Sequence, residues 1–230
     1  MKKHALIATT ALLLSAVNLH AEENYAIGVS AGTLGGDLEY SRMLSPQRNL
    51  ALRVSLGGLS YSSDYDDTDA HYETDLSLKS LGAVVEYHPN ASGFYIGVGA
   101  YYQDNSYELV ATPQDGEYEF NGHTYAADAL GSVYGETDGL NKLVPYVGIG
   151  YDNALFGDGQ WFFTAKLGAW YHGTPTVNLT AKDCALDDYG SPLTCDDLRQ
   201  DLRKEERDIN EDIQDYTWWP VLQIGLSYRF

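Results

Sequence analysis

The chain has 230 residues and a formal net charge of −19, and aromatic residues make up 13% of its composition. This acidity argues against nucleic-acid binding, because nucleic-acid phosphates are bound by Lys and Arg. The aromatic content argues against intrinsic disorder, and the length suits one β domain of ordinary size.

Residues 1–21 have the composition of a secretory signal peptide. Lys2 and Lys3 precede an apolar run over 5–17, and Ala21 precedes an acidic segment. The run is too short and wrongly flanked for a membrane-spanning helix, and no later run approaches the ~20 apolar residues that such a helix needs. We therefore predict export of a mature domain over 22–230, which could enter a membrane only as strands.

Alternation of apolar with small or polar residues predicts four strands in the first half of the chain. These strands are NYAIGVSAGT, GDLEYSRML, LALRVSLGG and SLGAVVEYH. In the first of them, Tyr25, Ile27 and Val29 share one face, while Gly28 and Ser30 lie on the other. Period-two alternation is typical of a strand with two different faces.

The second half repeats the pattern and brings the number of predicted strands to eight. FYIGVGAYYQ, LVPYVGIGYD and WFFTAKLGAWYH are followed by a C-terminal strand from Trp218 to Phe230. The apolar faces often end in Tyr, Trp or Phe, as in the interface girdles of membrane barrels. The opposite faces carry Gly, Ser and full charges, where a sandwich core would need Leu and Val.

The connections between these strands alternate in length. SPQRN, PNASG and NALFGDGQ are short, whereas 62–75, 108–142 and 174–216 are long; only the first connection, TLGG, is tight where a long one is expected. Short periplasmic turns and long outer loops are the habit of outer-membrane barrels. We predict an all-β, eight-stranded antiparallel up-and-down transmembrane β-barrel with long extracellular loops, in the outer membrane of a Gram-negative bacterium, both termini periplasmic.

This fold explains why an acidic chain keeps one strand face apolar. An unpaired backbone group in lipid costs several kcal/mol, so strands span a membrane only when the sheet closes and leaves no edge. The apolar face then contacts acyl chains, and the polar face lines a narrow lumen.

The long loops carry three further patterns. Residues 62–75 are rich in Asp and Glu, which predicts a solvated loop, with weak bridging by Mg²⁺ or Ca²⁺ to lipopolysaccharide phosphates as the alternative; the calcium-loop pattern is missing, so no metal site is expected. In 108–142, Asn121-Gly122 predicts the turn of a hairpin. In 174–216, Cys184 and Cys195 predict a local disulfide in an exported protein.

A helix is predicted at about 196–215, because its apolar residues recur at helical spacing. The stripe consists of Leu198, Leu202, Ile209 and Ile213. Thr194 and Asp197 resemble a capping box at its start. We expect this helix to lie over the barrel mouth as a lid; packing on loop 108–142 and binding of a partner remain alternatives.

Charged residues at the inward positions predict a lumenal charge network. The expected members are Glu39, Arg53, Glu86, Asp152, Lys166 and Arg229, with Asp37 beside them. An eight-stranded barrel is just wide enough for side chains to fill, and inward glycines make room for rings and long charged chains. Opposite charges in such a space should pair. The network predicts a plugged lumen, with an ion-pair gate or narrow polar channel as the alternative.

Residues 24–230 resemble the small eight-stranded outer-membrane barrels typified by the OmpA membrane domain, OmpX and OmpW. The likeness is one of architecture and of the terminal YRF. It implies that the C-terminal strand is an assembly signal read by the outer-membrane assembly machinery. The residues of that signal are Leu222, Ile224, Leu226, Tyr228 and Phe230. The families include adhesion and serum-resistance factors, narrow channels and lipid A-modifying enzymes, so the fold does not select a function.

A catalytic site is not expected, and neither is a cofactor. Lipid A acyltransferases and deacylases place a His beside a nucleophile or acid at the outer rim, within hydrogen-bond reach. His71, His123 and His172 are the candidates here, and His172 near Thr174 comes nearest to a dyad. We predict a structural or surface-interaction role, with outer-membrane lipid, lipopolysaccharide and a surface partner of the loops as contacts. A narrow passive channel and a lipid A-modifying enzyme are the alternatives.

Overall fold

The computed structural model describes residues 25–66, 70–114, 116–188 and 191–230. The predicted signal peptide over 1–21 lies outside these ranges and stays a prediction. The strands are β1 (Tyr25–Gly32), β2 (Gly35–Ser45), β3 (Leu50–Asp66), β4 (Ala70–Tyr87), β5 (Phe94–Gln103), β6 (Ser106–Pro113), β7 (Glu117–Phe120), β8 (His123–Ala126), β9 (Ser132–Asp138), β10 (Leu143–Asp152), β11 (Trp161–Tyr171), β12 (Thr176–Lys182) and β13 (Trp218–Arg229). The α-helices are α1 (Ala127–Leu130) and α2 (Cys195–Ile213).

Eight of these strands form a closed antiparallel barrel, which confirms the predicted fold. Around the ring they follow the order β1, β2, β3, β4, β5, β10, β11 and β13, and β13 pairs with β1. They coincide with the eight alternating segments of the sequence. We call the end that carries Tyr25 and Phe230 the termini end. The opposite end is called the sheet end, because further strands continue from it.

The pairing register keeps small and charged side chains inside and apolar side chains outside. Gly28 lies between Glu39 and Ser227 on the inner wall, whereas Ile224 on the outer wall is 65% exposed. A Cβ atom on Gly82 would lie 2.2 Å from the Tyr101 ring. Inward glycines therefore make room for lumenal rings, as the sequence predicts.

Aromatic girdles lie at both ends of the apolar outer wall. At the termini end, Tyr25 stacks on Phe230, and Trp161 packs edge-on against Tyr228. At the sheet end, Tyr171 packs against Trp218 with ring centroids 5.3 Å apart. Tyr and Trp favour such positions because one part of the ring is apolar and the other is polar, which suits a membrane interface.

The barrel sheet continues beyond the sheet end, where the sequence predicted loops. β3 and β4 continue beyond the barrel, and β4 then pairs with β6, β6 with β9, and β9 with β12. We call this part the extension sheet. The predicted loops 62–75 and 108–142 are thus largely strand, because Thr, Tyr and Val within them pair across strands while their acidic neighbours stay solvated. The segment 174–216 contains β12 and α2.

The hairpin and the helix of the long connections are confirmed. β7 and β8 are joined by Asn121 and Gly122, both with positive φ, as a type I′ turn requires. α2 begins after Thr194, whose hydroxyl accepts from the Asp197 N–H in a capping box. Cys184 and Cys195 form the predicted disulfide. Neither helix of the described chain is long and apolar enough to cross a membrane.

The position of α2 differs from the predicted lid. Its buried face packs against Tyr125 of the hairpin, Leu130 of α1 and Leu186 of the connection between β12 and α2. The helix also runs beside β12, and Ile213 near its C-terminal end lines a cleft at the barrel mouth. Packing on the connection 108–142, the alternative to a lid, describes this arrangement better.

Candidate functional site

The barrel lumen brings five of the six predicted charged residues together. Each comes from an inward position of a different strand, so closure of the ring aims them at one another. They are Glu39 on β2, Arg53 on β3, Glu86 on β4, Asp152 on β10 and Lys166 on β11. All five side chains are buried, so ion pairs and hydrogen bonds with one another must replace their contacts with water.

Arg53 is the centre of this network and contacts three carboxylates. Its Nε donates to Glu86 Oε1 at 2.6 Å, its Nη1 to Glu39 Oε2 at 2.7 Å, and its Nη2 to Asp152 Oδ2 at 3.0 Å. A planar guanidinium with five donors suits such a site, because a single fork can engage several acceptors at fixed angles. Arg53 thus joins strands on opposite parts of the ring.

Lys166 is the second cation of the network, and its partners are two carboxylates of β2. Its Nζ donates to Glu39 Oε1 at 2.6 Å and lies 3.8 Å from Asp37 Oδ2. Asp37 Oδ2 also accepts from Gln223 Nε2 at 2.8 Å. Asp37, Glu39, Glu86 and Asp152 therefore face two cations, an excess of acidic groups within one buried layer.

Arg229 does not join the network, contrary to the prediction. Its Nη1 donates to the Gly157 carbonyl at 2.6 Å, in the connection between β10 and β11. The alternation correctly placed Arg229 on the inner face of its strand. However, Arg229 is the last residue of β13 and lies at the termini end. Ser227, two residues earlier, reaches the network instead and donates to Asp152 Oδ2 at 2.7 Å.

Two packed layers lie on either side of the charge network. The aromatic layer, toward the sheet end, consists of Leu34, Val84, Tyr101, Val144, Tyr146, Trp170 and Val221. The basal layer, toward the termini end, consists of Ala26, Ala51, Ala154 and Leu155. Leu34 belongs to the tight first connection, which folds inward and is held by the Thr33 N–H bonded to the Leu222 carbonyl.

Several lumenal polar atoms have no protein hydrogen-bond partner among the described residues. Ser80 Oγ, Thr164 Oγ1 and Tyr146 OH are buried in this state, as are Asp37 Oδ1 and Gln223 Oε1. Buried polar atoms of this kind normally bind water. The lumen is therefore polar between its packed layers, and the sequence could not reveal this because partner identities depend on the register.

The histidines considered for catalysis lie in three separate places. His71 Nδ1 lies 2.6 Å from Asp66 Oδ1, and His123 Nδ1 lies 2.6 Å from Asp201 Oδ2. His172 is buried, and its Nδ1 has no hydrogen-bond partner in the described chain, Thr174 included. The arrangement of a base bonded to a nucleophile is not formed here, and the absence of enzyme activity stays a prediction.

The acidic segment 62–75 lies on the extension sheet, with Asp67 and Asp69 outside the described residues. Ser62 pairs with Asp75, and Asp64 with Glu73, so the carboxylates stand along a strand pair rather than around one point. No group of three acidic, His or Cys side chains suited to a metal ion occurs in the described ranges. Bridging of divalent cations to lipopolysaccharide stays a prediction.

A closed antiparallel ring with an apolar outer wall and a charged interior is the architecture of a membrane-spanning barrel. The chain thus has the fold of an eight-stranded membrane-spanning β-barrel. It is similar in structure to Acinetobacter baumannii CarO, with a TM-score of 0.59 and 24% identity over 91% of this chain and 98% of that chain.

A second A. baumannii structure, CarO2, gives the same result. Its TM-score is 0.58 and its identity 22%, over 90% of this chain and 99% of that chain. No protein-family model and no curated protein matches the sequence. At such identities the likeness supports the barrel fold alone.

Proposed function

We propose that this barrel has a structural or surface-interaction role, in envelope integrity, adhesion or host-defence resistance, with a lumen closed by side chains. The observation that carries the proposal is the stack of aromatic layer, charge network and basal layer. Solute passage would require Arg53 to leave three carboxylates at once, and such buried partners separate only at high cost. The barrel then serves to hold the extension sheet and α2 at the membrane surface.

The orientation that suits this role places both termini in the periplasm and the extension sheet outside the cell. Short connections at the termini end and a disulfide at the sheet end support it. Outer-membrane lipid and lipopolysaccharide would contact the outer wall and its rim, and a surface partner would bind the extension sheet. The assembly machinery would read the C-terminal strand, whose Leu222, Ile224 and Leu226 face outward and are exposed.

Conductance across planar lipid bilayers tests the closed lumen. We expect the purified barrel, verified as folded by faster migration on an unboiled SDS gel, to show no steady single-channel current. As a positive control, Trp170→Ala with Tyr101→Ala removes two of the three rings of the aromatic layer and should raise ion leakage. Steady current through the unmodified barrel would contradict the proposal.

A narrow polar channel is the second candidate, favoured by the lumenal hydroxyls that lack a protein partner. Ser80 and Thr164 could bind water on a path beside Lys166. In a conducting lumen, Lys166→Glu should change the preference between cations and anions. Lys79→Glu, an equal charge change on the exposed face of β4, should leave it unaltered. Current that responds to Lys166→Glu alone would establish the channel.

A further inference from the structure

A cleft of about 470 Å³ lies at the sheet end, between the aromatic layer and the extension sheet. We call it the mouth cleft and define it by Leu78, Trp170, His172, Val177, Tyr216 and Trp219. Trp170 belongs to the aromatic layer, so the cleft begins where the closed lumen ends. Small-molecule sites in proteins have volumes of ~300–1,000 Å³ and mostly apolar walls. The mouth cleft has both properties.

The lining carries no full charge, which restricts the ligand. Among the described residues that line the cleft, Asp, Glu, Lys and Arg are absent, although the whole chain has 33 acidic and 14 basic residues. A charged molecule would lose its water here without gaining an opposite charge. The cleft therefore suits an uncharged molecule, and its Trp and Tyr walls suit one with an aromatic ring.

His172 is the polar group that the cleft leaves unused. The residue is only 7% exposed, and its Nδ1 has no hydrogen-bond partner in the described chain. Its backbone is fixed on both sides, because its N–H donates to the Thr217 carbonyl and its carbonyl accepts from the Asn141 N–H. Its ring packs edge-on against Trp219, with centroids 6.3 Å apart. A fixed, buried nitrogen without a partner favours a ligand that supplies one.

Gln103, another buried polar residue of the lining, is already engaged. Its Nε2 donates to the Asn141 carbonyl at 2.7 Å, and its Oε1 accepts from the Asn105 N–H at 2.9 Å. Of these two buried polar side chains, His172 is therefore the one with an unpaired hydrogen-bonding atom in the described chain. A ligand with one suitably placed hydroxyl or N–H group would pair with that atom.

We propose that the mouth cleft binds an uncharged aromatic small molecule with one hydroxyl or N–H group. Its ring packs against Trp170 and Trp219, and its polar group hydrogen-bonds to His172. Tyr216 and Trp218 are the most exposed aromatic residues of the lining, and Trp218 belongs to the aromatic girdle of the sheet end. A molecule dissolved at the membrane interface reaches the cleft from that side. The site lies outside the closed layers, so the inference does not depend on whether the lumen conducts.

Fluorescence titration of the barrel in phosphatidylcholine nanodiscs tests this site. Trp161 lies at the termini end, and a Trp161→Phe background leaves Trp170, Trp218 and Trp219 as emitters near the cleft. The probes are 1-naphthol and naphthalene, which share the ring system and differ by one hydroxyl. We expect saturable quenching by both, with 1-naphthol binding about tenfold more tightly, the effect of one hydrogen bond of about 1.4 kcal/mol.

Two variants separate the cleft from the lipid. His172→Phe keeps a ring of similar shape and should weaken 1-naphthol about tenfold while leaving naphthalene unchanged. Thr137→Phe fills the cleft from β9 and should abolish saturable quenching by both probes, whereas Thr180→Phe on the exposed face of β12 should not. Quenching that never saturates, or that is insensitive to both His172→Phe and Thr137→Phe, would overturn the proposal. Equal weakening of both probes by His172→Phe would overturn the role of the hydrogen bond.

Discussion

Asn210 of α2 pairs with both backbone groups of Val177 on β12. Its Nδ2 donates to the Val177 carbonyl at 2.9 Å, and its Oδ1 accepts from the Val177 N–H at 2.7 Å. One turn earlier, Glu206 Oε2 accepts from the Leu179 N–H at 2.9 Å. β12 is the outermost strand of the extension sheet, and an open strand edge can pair with another chain. Helix side chains therefore take the place of a further strand.

Replacing Asn210 with Ala should loosen this edge. Two backbone groups of Val177 lose their partner, which costs about 1–3 kcal/mol of local stability. Hydrogen exchange of the Val177 and Leu179 amides should speed up accordingly, while that of the barrel strands stays unchanged. Asp208→Ala, at an exposed position of the same helix, is the control and should have no effect. Unchanged exchange in Asn210→Ala would show that water or packing protects the edge.

Removing the disulfide should weaken the docking of α2 and leave the barrel intact. Cys184 and Cys195 are separated by 11 positions, and closing a loop of this length stabilises by about 3 kcal/mol in the chain-entropy description. In Cys184→Ser with Cys195→Ser, limited proteolysis should cut within 184–213 at lower protease concentration. Reductant added to the unmodified protein should reproduce this result. A changed gel mobility of the unboiled barrel would contradict the separation of the two parts.

The barrel could be predicted from sequence because lipid imposes a strict pattern on its strands. Each spanning strand must keep one face apolar, so the alternation is strong and every strand of the ring was identified. The extension strands β6, β9 and β12 lie outside this constraint. In β6, SYELVATP, one face carries Ser106, Glu108 and Thr112, but the alternation extends over only eight residues. Such short strands resemble loops until their partners are known.

The lumenal network shows a different limit of sequence reasoning. Alternation assigns a side chain to the inner or outer face, and it placed Arg53 and Arg229 inside. It does not give the height of a residue along the barrel axis, because that depends on strand stagger and register. Arg53 meets three carboxylates, whereas Arg229 lies at the termini end near Gly157. The sequence likewise did not give the partners of Glu39, which bridges Arg53 and Lys166.

Asp201 should make the docking of the β7–β8 hairpin on α2 depend on pH. Burial opposes its ionisation, but hydrogen bonds from Tyr125 OH, His123 and Lys204 outweigh this and hold the pKa of Asp201 well below its ordinary value. A carboxyl group with a lowered folded-state pKa stabilises at pH above its ordinary pKa, and this contribution is lost as pH falls through the lowered value. Docking should thus keep this contribution from pH 7 down to about 4 and lose it below.

Asp201→Asn tests this dependence. The neutral amide keeps the shape but gives the Tyr125 hydroxyl and Lys204 ammonium a weaker acceptor, so protection of the β8 amides should fall at pH 7. Protection factors in the variant should then change little between pH 7 and about 3, unlike those of the unmodified protein. Asp196→Asn, in the exposed first turn of α2, should behave like the unmodified protein. If Asp201→Asn kept the pH dependence of the unmodified protein, Asp201 would not be the cause of that dependence.

Replacing Arg53 with Met should destabilise the barrel more than any other single change in the lumen. Glu39 would keep Lys166, whereas Glu86 and Asp152 would lose their contact with the guanidinium, and removing one partner of a buried ion pair costs about 3–5 kcal/mol. Urea unfolding in lipid vesicles, followed by Trp fluorescence and by gel mobility, measures the loss. Arg229→Met is the matched control, because it removes the same charge but only a carbonyl contact near the barrel end, and we expect a cost of about 1 kcal/mol or less.

The double variant Arg53→Met with Glu86→Gln separates charge from packing. If unpaired carboxylates cause the loss, removing one of them should restore part of the stability, although a second polar contact has been deleted. If the guanidinium acts mainly by filling space, the double variant should be no more stable than Arg53→Met alone. Equal costs for Arg53→Met and Arg229→Met would mean that water already solvates the lumenal carboxylates. In that case the lumen would be wet at its centre, and the narrow channel would replace the closed barrel as the better account.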